Sequence, residues 1–581
     1  MSESVSSLRC VYFQCFSFGQ LSRHNNDHNI RSISLPSDLS LGDSLPHCSD
    51  NGLNIVQDDH KKRMNVRIQG IIFPCKPLLT ITPSTDTSCT GKRPRHVTAI
   101  SMLSDNVLLE IFDFCQKNHH SDLRFGPFPA PEAVWDWHIL VHVCSRWRQV
   151  VFASPLRLNL QILCTFRTPV RRSLDIWPAF PLHIEYSYLN MRTDEDNIIA
   201  ALEHPDRVSV LSLRLTGPQL KKVTTVMQEP FPALRFLGLR ANMFNVDDIP
   251  VVSSEFLRRS APRLQRIQFS RIPFPALPAL LLSTIDLVTL HLYYIPQVGY
   301  IPPEAMVAAL ATLTRLEDLR FDFRSPASRP DRIHLPPVTR SVLPALTSFS
   351  FGGVREYLED FLARINAPRL HTIWINYFSQ LVDFEVPHLC QFIEHSEDLN
   401  RRPMRCVVEF HDKAVDFGAG HGLTTPLYHV PNFPKLFNDF RRRIMICILC
   451  EGIDWQVSHI AQALNRLSPV LSNMHHLAIG YDSISPKPED MDDIEWLQLL
   501  RPFSSVQMLF VSRAFSGHVS RSLNDIPGVM ATEVLPALDV LCLEGQPVSA
   551  VRKFITARSE FGRPVTTIDT RRAFDERLGR T

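Results

Sequence analysis

The sequence predicts an α/β fold: a short all-α hairpin, then a long curved stack of repeats whose strands run parallel. Three observations predict it. Apolar residues between 103 and 151 fall at helical spacing in two runs, split by a proline-rich loop. The pattern Leu-x-x-Leu-x-Leu, or its apolar equivalents, then returns along most of the remaining chain. Stretches of helical period separate the copies, and strands alternating with helices call for a parallel sheet.

Residues 1–95 differ from the rest. Ser, Asn, Asp and His dominate, and no helical or strand period persists. Such a stretch buries too little apolar surface to offset the entropy of ordering, so disorder is expected there. The basic cluster Lys92-Arg93-Pro94-Arg95 closes it and reads as a solvated linker.

The hairpin is expected within 100–160. Val107, Leu108, Ile111, Phe112 and Cys115 share one face of a first helix, with Ser104 or Asp105 as its N-cap. Gly126-Pro127 and Pro129-Ala130-Pro131 mark the loop. A second helix is expected from about Glu132, because Trp135, Ile139, Val143 and Trp147 recur every fourth residue, with Leu140, Cys144 and Val151 beside them. Ser154-Pro155 ends it, since proline disfavours helix at the residue before it. Leu156, Leu158, Leu160 and Ile162 alternate, which reads as a strand.

The repeats are expected over 161–575. Copies begin at Val208, Leu234, Leu264, Leu287, Leu316, Leu346 and Leu370, and later at Met474, Val506 and Leu538. Five of them carry proline two residues ahead: Pro232, Pro262, Pro344, Pro368 and Pro536. Glu304 to Leu313 and Glu356 to Ile365 have helical period. One such unit cannot cover its own apolar face, so units must stack. Only the copy ending at Leu239 continues to an Asn, at Asn242, so no asparagine ladder is expected. Between about 376 and 470 the register is poor, and His411 to His429, with Gly418, Gly420 and Gly422, reads as a long loop.

Composition narrows the function classes. Lys plus Arg is 61 and Asp plus Glu is 59, so the net charge of +2 gives no overall pull toward nucleic acid or membrane. Glycine is scarce at 21 residues while proline reaches 44, which argues against glycine-rich phosphate loops as a theme. The 13 cysteines follow no framework spacing. There is no secretory leader pattern and no run of roughly 18 apolar residues. A reducing compartment is expected, cytoplasm or nucleus, with thiols free.

Catalytic patterns are absent from the sequence: no Gly-x-Ser-x-Gly, His-Glu-x-x-His or Walker loop. Cys447-Ile448-Leu449-Cys450 lacks the second pair a structural zinc needs, so buried thiols are expected and no metal or other cofactor. Arg441-Arg442-Arg443 reads as a solvated helix end. A non-enzyme is expected; an unrecognised site in 376–470 would require a concave pocket with convergent titratable groups.

The segment 101–160 resembles an F-box. The residues that carry the resemblance are Leu103-Ser104, Val107-Leu108-Leu109-Glu110-Ile111-Phe112 and Val143-Cys144-Ser145-Arg146-Trp147. Ser154-Pro155 and Leu174-Asp175-Ile176-Trp177-Pro178 are similar to the F-box proteins abundant in mushroom-forming fungi, and the repeats resemble degenerate leucine-rich repeats. Two departures stand out: Ser104 where the family has proline, and a longer loop between the helices. The resemblance implies that Leu103, Val107, Leu108, Ile111, Phe112, Leu140, Val143, Cys144 and Trp147 dock on the Skp-type adaptor of a cullin-scaffolded ubiquitin ligase. The repeats would then hold a target protein, with no nucleic acid, membrane or small-molecule substrate expected. The same residues also fit a hairpin capping a leucine-rich-repeat scaffold that binds a partner without ubiquitin transfer.

Parity locates the expected receptor face. Neighbouring side chains on a strand point to opposite faces. If Leu237 and Leu239 face the core, Gly238 and Arg240 face out. The same count exposes Gln268, His291, Arg320, Asp322, Trp374 and Asn376 on successive strands. Arg240, His291, Arg320, Asp322, Trp374 and Asn376 are the candidate target-binding residues.

Overall fold

The computed structural model describes residues 102–119, 137–165, 170–187, 195–242, 249–324, 339–378, 385–400, 404–421, 441–450, 452–472, 474–481 and 496–568. Residues 1–95, the proline-rich loop, Trp135 and Gly422 to His429 lie outside them.

The strands are β1 (Ile162–Cys164), β2 (Leu182–Ser187), β3 (Val208–Leu215), β4 (Phe236–Ala241), β5 (Arg266–Ser270), β6 (Thr289–Ile295), β7 (Asp318–Phe323), β8 (Ser341–Val342) and β9 (Ser348–Gly353). They continue as β10 (Ile365–Asn366), β11 (Thr372–Tyr377), β12 (Met404–His411), β13 (Ala414–His421), β14 (Arg441–Leu449), β15 (Met474–Tyr481), β16 (Met508–Val511), β17 (Val540–Leu543) and β18 (Thr566–Ile568). Among the described residues, sixteen form one open sheet in the order β1-β2-β3-β4-β5-β6-β7-β9-β11-β14-β13-β12-β15-β16-β17-β18. β8 and β10 pair separately.

The repeated pattern sets the register. Leu211, Leu237, Ile267, Leu290, Leu319, Phe349 and Ile373 are cross-strand partners in one unbroken row of parallel strands. Leu213, Leu239, Phe269, Leu292, Phe321, Phe351 and Ile375 form the next inward row. Leu477, Leu509 and Leu541 repeat the arrangement on β15 to β17. All these side chains are buried. A one-residue slip would turn a whole row to solvent, so the alternating apolar residues pin the pairing.

Helices cover the inner face, and local sequence starts them. Pro303 opens Pro303–Leu310, where its missing N–H is harmless. A capping box between Thr216 and Gln219 opens Gly217–Val226. Between layers, Phe349 stacks on Phe361 and Phe351 on Tyr357, with interplanar angles of 17° for both. Each buried aromatic of this kind stabilises the layer contact by about 1.5–3 kcal/mol.

Four expectations need correcting. Leu156 to Leu160 are not a strand: Leu158 N–H bonds the Ser154 carbonyl and Leu160 N–H the Pro155 carbonyl, closing a turn before β1. Leu158 and Leu160 are buried from within that turn, which produced the alternation. The second helix is broken into His138–Val141 and Ser145–Ala153. Cys144 sits extended between them, and its Sγ accepts from Trp147 N–H at 3.5 Å as the N-cap of the second piece. The stretch read as a loop holds β13, antiparallel to both β12 and β14, so the sheet is mostly rather than wholly parallel. Its glycines misled because glycine usually marks turns. Here a Cβ on Gly418 would lie 3.3 Å from the Arg442 Cδ, so glycine makes room for a neighbouring side chain. The fourth correction concerns the outer face.

Candidate functional site: the outer face of the sheet

Register places the predicted outward residues in two rows. Gly238, Gln268, His291, Arg320, Ser350 and Trp374 are successive cross-strand partners. The row above runs Arg214, Arg240, Ser270 and Tyr293 across β3 to β6. Farther along it, Asp322, Gly352 and Asn376 are partners on β7, β9 and β11.

Facing outward does not make all of these residues exposed. Arg240, Arg320, Trp374 and Asn376 are half-buried, but Gln268 (8%), His291 (3%) and Asp322 (7%) are buried. Neighbouring strands lie about 4.8 Å apart, so long side chains in one row cover each other. His291 sits between Gln268 and Arg320 and has the Tyr293 ring 5.7 Å away. Trp374 donates its Nε1–H to Asn376 Oδ1 at 3.2 Å, which ties the two candidates on β11 together.

A bulge distinguishes β6. Leu292 opposes Phe321 and Ile295 opposes Phe323, so Tyr293 and Tyr294 share the space opposite Asp322. The extra residue is accommodated by Tyr294 at φ 53, in the left-handed region. Arg271, just beyond β5, also has positive φ, at 60. Its backbone N–H bonds the Tyr293 carbonyl at 2.9 Å, and its guanidinium lies 4.4 Å from the Tyr294 ring centroid. Sequence reasoning missed this pair. The dipeptide Tyr293-Tyr294 was its signal, since strict alternation would have sent the second tyrosine into the core.

Beside it runs a polar network. The His291 Nε2 lies 2.8 Å from Asp318 Oδ2, and the Tyr293 hydroxyl is 3.3 Å from His291 Nδ1. Arg320 donates to both Asp318 oxygens at 3.3 Å. Burial lowers the His291 pKa, which fits a neutral ring donating to the carboxylate and accepting from the tyrosine. Burial alone would raise Asp318, but the His291 hydrogen bond and the charge and hydrogen bond of Arg320 hold it down to about 2. Both ring nitrogens are therefore occupied, and the network orders the face rather than offering a free base.

The helical pieces form a second candidate surface. The Phe112 and Trp147 rings meet edge to face at 4.9 Å, and Arg146 bridges Asp105 at 2.7 Å. Leu108 and Phe112 are buried, Leu103, Leu140 and Trp147 half-buried, and Val107, Ile111, Val143 and Cys144 exposed. Ile139 and Phe114, which the motif did not single out, are exposed as well. Trp137 is fully buried: its Nε1–H donates to the Gln161 carbonyl at 2.8 Å, and Trp177 and Phe180 pack edge-on against it at 5.2 and 5.5 Å. This nest fixes the second helical piece against the start of the sheet. No protein-family model matches the chain, and no curated protein matches it either.

The central β12 to β14 region carries titratable groups but in closed pairs. Arg442 bonds Glu409 at 3.4 Å, and His411 lies 3.4 Å from Asp416. Arg443 donates to the Asp398 carbonyl at 2.8 Å. Cys447 and Cys450 are buried thiols that form no disulfide, with burial pushing Cys450 up to about 12. Among the described residues no group of three His, Cys, Asp or Glu could hold a metal ion. Among them, too, no helix is long and apolar enough to cross a membrane.

Proposed function

We propose that the chain is an F-box target receptor: the helical pieces dock on a Skp-type adaptor, and a curved leucine-rich-repeat-like stack presents its outer sheet face to a target protein. The observation that carries this reading is the division of the helical pieces. Phe112 and Trp137 are buried, while Val107, Ile111, Ile139 and Val143 stay exposed at 42–62%. Soluble surfaces leave single apolar residues in water, but several on one short unit fit a docking surface. The motif residues account for most of them. The Trp137 nest would hold that surface in fixed relation to the sheet, as a receptor that positions its target requires.

The test is affinity purification of the full chain with mass spectrometry. The expected result is recovery of a Skp-type adaptor and a cullin, lost in Ile111→Asp. Recovery of other partners without adaptor or cullin would instead establish a scaffold uncoupled from ubiquitin transfer.

A further inference from the structure

Arg405 on β12 is a half-buried cation, and among the described residues it has neither a hydrogen bond nor an ion pair. Burial lowers its pKa, and no carboxylate among those residues offsets this, whereas Asp318 does so for Arg320. A charge drawn partly out of water is unfavourable unless an opposite charge or hydrogen bonds attend it.

The sheet is irregular on both sides of Arg405. Met404 pairs with Met474 but Arg405 with His476, so His475 is an extra residue on β15. On the other side Ala419 pairs with Ile444 but Gly420 with Arg442, so Arg443 is an extra residue on β14. Bulges re-aim side chains and gather beside functional sites. Arg405 thus lies between His476 and Gly420, which has no side chain to fill the space. Their neighbours Cys406 and Leu477 are paired and buried toward the core, so Arg405 and His476 face outward together. The His476 Nδ1 is buried and has no hydrogen-bond partner. Burial, then the charges of Arg405 and His475, hold the His476 pKa down. In the next outward row Val407 and Ala478 are buried partners, and apolar surroundings strengthen a charge pair formed beside them.

We infer that Arg405 and His476 form a binding site for one carboxylate of the target protein, presented by an acidic side chain or by a chain terminus. A guanidinium fork matches the two oxygens of a carboxylate, and the His476 ring adds a further donor. The charge count favours a carboxylate over a phosphoryl group, because the neighbouring Arg442 is already bonded to Glu409 at 3.4 Å. The charged or titratable groups acting on His476 are Arg405 and His475; Met508, its partner on β16, carries no charge. An anion placed there favours protonated His476, so binding takes up a proton and tightens as pH falls. The site deepens the receptor reading, but its test needs no adaptor.

The experiment is fluorescence anisotropy of labelled peptides with the full chain. Three peptides blocked at both ends differ only in a central Glu, Gln or phosphoserine, and a fourth carries Gln and a free C-terminus. Saturable binding of the Glu peptide or the free-terminus peptide is expected, about tenfold tighter than the blocked Gln peptide, as one charge-assisted pair implies. Either carboxylate source supports the proposal, and the tighter one identifies it. Arg405→Gln should remove the advantage at an unchanged melting temperature. His476→Asn guards against misfolding of that variant: it should erase the gain in affinity between pH 8 and pH 6 while leaving part of the binding. Equal binding of carboxylate and blocked Gln peptides would overturn the proposal. So would tightest binding of phosphoserine, or full binding by folded Arg405→Gln. Adaptor co-purification is a separate readout, so failure here leaves the F-box reading standing, and the reverse.

Discussion

Phe112 and Trp147, thirty-five positions apart, meet edge to face with ring centroids 4.9 Å apart and planes at 62°. Edge-on pairs of this kind contribute beyond their buried area. Phe112→Ala should therefore loosen the first helix by about 3–5 kcal/mol. Hydrogen exchange over 105–119 should accelerate while β3 to β9 keep their protection. Unchanged exchange at 105–119 would mean that the helix is held by something else.

Ile111 is the complementary case. It is 42% exposed on the same helix, so a charge there leaves the fold alone. Ile111→Asp should abolish adaptor co-purification without shifting the melting temperature. Retained adaptor would remove Ile111 from any docking surface.

Asp318 gives a pH dependence with a defined sign. Its carboxyl is held at about 2 against an ordinary 3.8. A depressed carboxylate stabilises the fold above its unfolded pKa, and that contribution fades as pH falls through the folded value. At pH 7 Asp318→Asn should lose about 2 kcal/mol, an order-of-magnitude figure from the size of the shift. The gap between wild type and variant should narrow from pH 4 toward pH 2. A gap independent of pH would assign the loss to packing instead.

Arg558 holds the far end of the sheet. It is 1% exposed, and its guanidinium donates to the carbonyls of Ala531, Val534, Leu535, Pro536 and Leu538. Leu535 is itself at φ 50, so this turn depends on the bonds that Arg558 supplies. Arg558→Met keeps much of the length but strands several acceptors. A loss of about 3 kcal/mol is expected, seen as early unfolding of β17 and β18. Wild-type protection in those strands would count against the role.

Trp374 and Arg320 share the lower outward row. Trp374→Ala and Arg320→Ala should reduce target capture while adaptor recovery stays constant. Undiminished capture by both would move the receptor site off this row.

The sequence by itself determined the repeating unit and its register. Leu-x-x-Leu-x-Leu specifies which side chains enter the core, and a period of two leaves a single pairing that buries them all. It also located the helices around Glu304 and Glu356 by their helical period, the first opened by Pro303. Only the tertiary structure decided what happens where local signals conflict with neighbours. Gly418 reads as a turn until the Arg442 side chain beside it is known. Tyr294 breaks the alternation because a bulge opposite Asp322 takes up one extra residue. His291 faces outward as parity requires, yet it is buried, because Gln268, Arg320 and Tyr293 come from three different positions to cover it. Burial on that face is a property of rows that cross strands, and residues in such a row stand more than twenty positions apart in the chain.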